Sequence, residues 1–162
     1  MYLHQQTIAM NFKTAFLTIL MLAILVSAFS QNNPKYSKAL ADSLGADEYG
    51  MKMYVLVLLK TGPVTIDDKK ITDSLFAGHM KNIQRLANEG KLSVAGPLQK
   101  NDKNYRGIFI LNVKTLDEAK ALLQTDPTIK AKVLDAELYG WYGSAALPMY
   151  LPASEKVNKL SF

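Results

Sequence analysis

Residues 78–127 read GHMKNIQRLANEGKLSVAGPLQKNDKNYRGIFILNVKTLDEAKALLQTDP. Together with the residues just before it, this stretch sets the fold. Leu75, Phe76, His79, Met80, Ile83, Leu86 and Ala87 recur at steps of three and four, the spacing of an apolar helical stripe. Thr72 or Asp73 is placed to cap that helix, and Gly90 stands where a helix ends. Leu92–Ala95 reads as a strand stopped by Gly96-Pro97, and Gln99–Tyr105 as a polar hairpin loop. Ile108–Val113 is a strand with two apolar faces. Thr115-Leu116-Asp117-Glu118 is a capping box opening a helix with Leu116, Ala119, Leu122 and Leu123 on one side. Asp126-Pro127 closes that helix.

Working outward, Met53–Leu59 is a short, β-branched, apolar run and reads as a strand. Val133–Tyr142 is a last strand, with Leu134, Ala136 and Leu138 on one face. The order β-α-β-β-α-β is the split pattern of a ferredoxin-like α+β fold with an antiparallel four-stranded sheet. Two helices cover only one face of such a sheet, yet the runs at Met53 and Ile108 are apolar on both. A second cover is required, because large exposed apolar faces are uncommon on monomers. The expected cover is a second copy of the chain, giving a homodimer. The tail, residues 143–162, is the competing cover.

The ends carry other signals. Lys13 precedes an apolar run, Ala15–Val26, followed by Ser27-Ala28-Phe29-Ser30. A basic start, a short apolar centre and small residues before a cut make residues 1–30 a secretory signal peptide. Met10 is as good a start as Met1. The expected location is therefore secreted or periplasmic, with no stable membrane anchor after cleavage. An uncleaved membrane-anchoring helix is the alternative. Residues 31–50 read as a loose polar leader, with a short helix over Lys35–Leu44 as the alternative, and residues 51–142 as the folded domain. The chain has no cysteine, so neither a disulfide framework nor a thiolate nucleophile is available. Its net charge is +5, with the lysines scattered and no basic run interleaved with aromatics, which argues against nucleic acid as a partner.

Acid–base chemistry has one candidate pair. His79 is the only histidine after residue 30. On its apolar stripe it reads equally as an ordinary half-buried core histidine. Asp126 reads as a turn residue before Pro127. Placed in the last turn of its helix, its carboxylate would meet the negative end of the helix dipole, at a cost of roughly 0.3–1 kcal/mol that a nearby imidazolium would offset. Lys60 and Arg106 flank strands and are candidates to neutralise an anionic substrate, although strand-end bases are commonly just solvated. Trp141 and Tyr142 are expected at a dimer seam or under the tail. No second histidine follows residue 30, and no H-E-x-x-H motif, glycine-rich phosphate loop or G-x-S-x-G elbow appears, so neither a metal nor another cofactor is expected.

The strand at Met53, the helix with His79, Gly90-Lys91-Leu92 through Gly96-Pro97, Leu116-Asp117-Glu118-Ala119 and Asp126-Pro127 together resemble the YCII-related (YciI-like) family. The likeness covers roughly Met53 to Trp141. It implies a ferredoxin-like fold assembled as a dimeric α+β barrel. It also implies a His–Asp pair in a pocket at the sheet, matching His79 and Asp126, with Gly96 and Pro97 bordering the pocket as substrate-binding residues. The signal peptide and the long tail depart from a simple member; the tail's Leu147–Leu151 would lie over the pocket or across a partner. The expected function is acid–base chemistry on a small molecule without a cofactor: proton transfer, elimination or isomerisation. A non-catalytic small-molecule binder and a structural or interaction module are the alternatives.

Overall fold

The computed structural model describes residues 33–159. The expected signal segment, 1–30, lies outside the described residues. Residues 33–38 fall in a separate unit, where Tyr36 N–H donates to the Asn33 carbonyl at 3.0 Å. The unit that begins at Ala39 holds the fold. Helix α1 (Lys38–Leu44) starts at that boundary, within the stretch expected as a leader.

Strand β1 (Met51–Thr61) is followed by helix α2 (Lys69–Asn88), then β2 (Leu92–Pro97) and β3 (Tyr105–Leu111). Helix α3 (Leu116–Leu123), the short helix α4 (Pro127–Lys130) and β4 (Leu134–Ser144) complete the repeat. The sheet is antiparallel in the order β2-β3-β1-β4, a ferredoxin-like α+β arrangement. β1 lies in the middle, pairing Val57 with Phe109 on one side and with Leu138 on the other.

Alternation along β1 decides which face is core. Val55, Val57 and Leu59 are buried with Phe109, Leu111 and Leu134 beneath Leu86 of α2 and Ala119 and Leu123 of α3. Each fully buried Val or Leu contributes roughly 1.5–3 kcal/mol relative to exposure. Leu56, Leu58, Ile108 and Ile110 point to the opposite face and stay half-buried.

Several boundaries differ from the sequence expectation for local reasons. Helix α2 begins a turn earlier than Thr72 or Asp73 would place it. Asp68 is its cap, accepting from the Lys70 N–H at 2.8 Å and, more weakly, from Ile71 at 3.4 Å. Asp73 is held instead by Lys69. Gly96-Pro97 does not stop β2: the strand runs through both, paired with Ile108 and Gly107. β2 is an edge strand, where a proline without an N–H is tolerated. The capping box at Thr115 and Glu118 forms with both reciprocal bonds. The tail is regular: a 3₁₀ turn (Leu147–Tyr150) leads into helix α5 (Leu151–Val157).

Candidate active site

His79 and Asp126 stand 47 residues apart in sequence and meet in the core. Nδ1 of His79 lies 2.6 Å from Oδ2 of Asp126. His79 is 8% exposed and Asp126 1%. A buried carboxylate only accepts, so Nδ1 carries the proton and donates it. The imidazole is further fixed by Phe109, stacked at 5.9 Å, and by Phe76, edge-on at 6.1 Å. Nε2 makes no hydrogen bond among the described residues.

Asp126 is not in the last turn of α3, as the sequence suggested. That helix ends at Gln124, and Asp126 caps the start of α4. The dipole argument therefore changes sign: the carboxylate sits at the positive end of a helical turn. Its Oδ1 accepts from the Thr128 N–H at 2.9 Å and from the Thr128 hydroxyl at 2.6 Å, leaving Oδ2 for His79. Burial pushes the carboxyl pKa up, but the hydrogen bonds from His79 and Thr128 outweigh it and hold Asp126 below the ordinary carboxylate value.

Two attachments bring the Asp126 turn to helix α2. On one side, Arg85 Nη2 donates at 2.8 Å both to Asn82 Oδ1 and to the hydroxyl of Thr125, the residue before Asp126. The Thr125 hydroxyl also lies 2.9 Å from Asn82 Oδ1. On the other side, Gly78 backs onto Pro127: a Cβ at Gly78 would stand 2.7 Å from the Pro127 Cγ. Glycine at that helical position lets the turn approach closely enough for its neighbour His79 to reach Asp126. Gly78→Ala sets a gain in helix propensity of roughly 1 kcal/mol against overpacking of about 1–3 kcal/mol. The proline ring has little freedom to yield, so the expected result is a net loss of about 1 kcal/mol by urea unfolding.

His79 opens onto a cavity of about 900 Å³ between α2, the core face of the sheet and the tail. Its walls are largely apolar, with Leu59, Phe76, Ile83, Leu92 and Phe109 among them. Asp126 and Thr128 lie behind His79 and do not line it. With Nδ1 turned to Asp126, Nε2 is the nitrogen left for a bound molecule. Such a pair can take up a proton at Nε2 while the carboxylate stabilises the imidazolium.

The other expected site residues divide. Gly96 and Pro97 line the cavity, and so does Arg106. A Cβ at Gly96 would meet nothing within 4 Å. Lys60 is not at the cavity: its ammonium lies 3.2 Å from Glu137 and 3.5 Å from Asp135. Trp141 packs on Tyr54 at 5.6 Å, and Tyr142 donates to Asp47. The tail does reach the cavity, through Tyr150, Leu151, Ser154, Glu155 and Asn158. Thr128 and Gly78 were not singled out in the sequence. A hydroxyl two residues after an aspartate, and a glycine inside a helix beside a histidine, were the available signals.

No curated protein matches the chain. Nine solved chains match its structure. One is the 5-chloro-2-hydroxyhydroquinone dehydrochlorinase of Burkholderia phenoliruptrix AC1100, in complex with 2,5-dihydroxybenzoquinone. It is 21% identical, and the match covers 56% of this chain and 93% of that one with a TM-score of 0.39. Residues 53–141 match the family model of the YCII-related domain. Because that match runs from the first strand to the last and takes in more than half of the chain, the chain belongs to the YCII-related family.

Proposed function

We propose that this protein is an exported small-molecule enzyme that moves a proton with His79 as general acid/base and Asp126 as its orienting partner. The observation that carries the reading is the polarity of the imidazole. Nδ1 is committed to a buried carboxylate, and Nε2 is left for a large, mostly apolar cavity. Nε2 takes a proton from an acidic C–H or O–H of the substrate, and Asp126 stabilises the imidazolium. The proton then returns to a different substrate atom, which is isomerisation, or passes to a departing group, which is elimination. Neither step needs a cofactor. The substrate class proposed is a small organic acid or aromatic.

The test is proton exchange. The purified full chain is incubated in D₂O with a panel of small organic acids, lactones and hydroxylated aromatics, and deuterium wash-in is followed by NMR. Exchange that depends on His79 is the expected result. Binding without exchange, with affinity indifferent to Asp126→Asn, would replace the enzyme by a carrier on the same cavity.

A homodimer packed on the outer sheet face belongs to the same proposal. Half-buried Leu56, Leu58, Ile108 and Ile110 on that face support it. Light scattering at micromolar concentration should give twice the chain mass; a monodisperse monomer would count decisively against the dimer.

A further inference from the structure

Lys60 and Arg106 look alike in sequence, since both are bases at strand ends. The structure separates them. Lys60 is spent on Glu137 and Asp135. Arg106 lines the cavity and makes no ion pair or side-chain hydrogen bond among the described residues. Among the described residues it is the only lysine or arginine on the cavity wall. The same wall carries the apolar Phe76, Ile83, Leu92 and Phe109, and polar side chains from both α2 (Gln84 and Asn88) and the tail (Ser154, Glu155 and Asn158). The buried hydroxyl of Ser93 has no partner among the described residues and lies on the same wall, but it is neutral and selects no charge.

We infer that Arg106 is the specificity-determining residue of the cavity, and that it selects an amphiphilic ligand: an apolar body with an anionic head, a carboxylate or sulfonate. The guanidinium offers a planar fork of donors that matches such a head, and it holds its charge at any working pH. The apolar walls take the body. Glu155 sets a like charge against the anion from the tail; it and Arg106 are both exposed, so solvent and salt screen the two alike, and the selectivity rests on the fork of guanidinium donors, which Glu155 cannot offer an anion. This inference deepens the proposed function by naming the substrate's charge, and it rests on the cavity being the binding site.

A matched pair of fluorescent probes tests it in the full chain. 8-Anilinonaphthalene-1-sulfonate and N-phenyl-1-naphthylamine share the same aromatic body, and only the first carries an anion. The sulfonate probe should bind about five- to tenfold more tightly. Arg106→Ala should remove that preference and leave the neutral probe unchanged, and Arg106→Lys should keep part of it. Lys60→Ala should change neither. If Arg106→Ala leaves sulfonate binding intact, or weakens both probes equally, Arg106 does not select charge, while the cavity and its His–Asp pair stand. If neither probe binds the wild-type chain, the inference and the cavity reading fail together.

Discussion

Replacing His79 with glutamine should lower turnover by about 10²–10⁴-fold, the usual contribution of a positioned general acid/base. Glutamine is the informative substitution. Its amide can still donate toward Asp126, so the buried carboxylate keeps a partner, but it cannot carry a proton in a catalytic cycle. Folding stability should then change by no more than about 1 kcal/mol, the scale of one exchanged hydrogen bond. Alanine at the same position would confound the two effects by leaving Asp126 uncompensated in the core. Asp126→Asn should also slow turnover, because the imidazolium loses its counter-charge. The double variant should be little worse than His79→Gln alone, since paired groups act as a unit and their losses do not add. The measurement is kcat on whichever substrate shows proton exchange. Full activity in His79→Gln would place the base elsewhere and end the dyad reading.

Much of this arrangement is legible in the sequence, because the fold is written in periodicity. The short, β-branched apolar run Met53–Leu59 and the three-four stripe through Phe76, His79 and Ile83 give β1 and α2 without any tertiary information. Thr115 and Glu118 announce α3 by a mechanism confined to four residues, and the capping box forms as read. Boundaries set by competition between neighbours are harder. The sequence points to Thr72 or Asp73 as the cap of α2, and the cap that forms is Asp68, one turn earlier. Gly96-Pro97 is a stop signal in isolation. The pairing partner Gly107 lets β2 continue, since a side chain there would stand 2.9 Å from the Gly96 carbonyl oxygen.

The site shows the same division. Residue type and resemblance single out His79 and Asp126, but their roles in the backbone depend on a turn the pattern does not resolve. Thr125-Asp126-Pro127 reads as the end of one helix, and it is also the start of the next, which reverses the electrostatic setting of the carboxylate. Gly78 is invisible until Pro127 is known to pack on it. Lys60 and Arg106 cannot be told apart until Asp135 and Glu137 are seen across the strand from Lys60. In each case the missing information is a contact between residues distant in sequence.

Asp126→Ala should cost about 3–5 kcal/mol of folding stability, the range for removing one partner of a buried pair. Three bonds are lost together: those to His79, to the Thr128 N–H and to the Thr128 hydroxyl. Thr128 is fully buried, so its N–H would be left without water or protein to satisfy it, at about 1–3 kcal/mol. Asp126→Asn keeps an oxygen for the cap and should cost less, about 1–2 kcal/mol. Acid separates charge from shape. The folded carboxyl of Asp126 is held below its ordinary value, so it binds its proton less readily in the native state than in the unfolded chain. Its contribution is complete above an unfolded pKa of about 3.9 and is lost as pH falls through the lower folded value. Urea unfolding from pH 6 down to pH 2 should therefore show wild-type stability falling on the acid side, and Asp126→Asn should flatten that limb. It should not abolish the limb, because Asp117, Glu118 and Glu137 are also held low by their hydrogen bonds. Identical acid limbs in the two proteins would mean that the carboxylate is not stabilised by His79 and Thr128. The imidazole would then have no anchored partner to support proton transfer at Nε2.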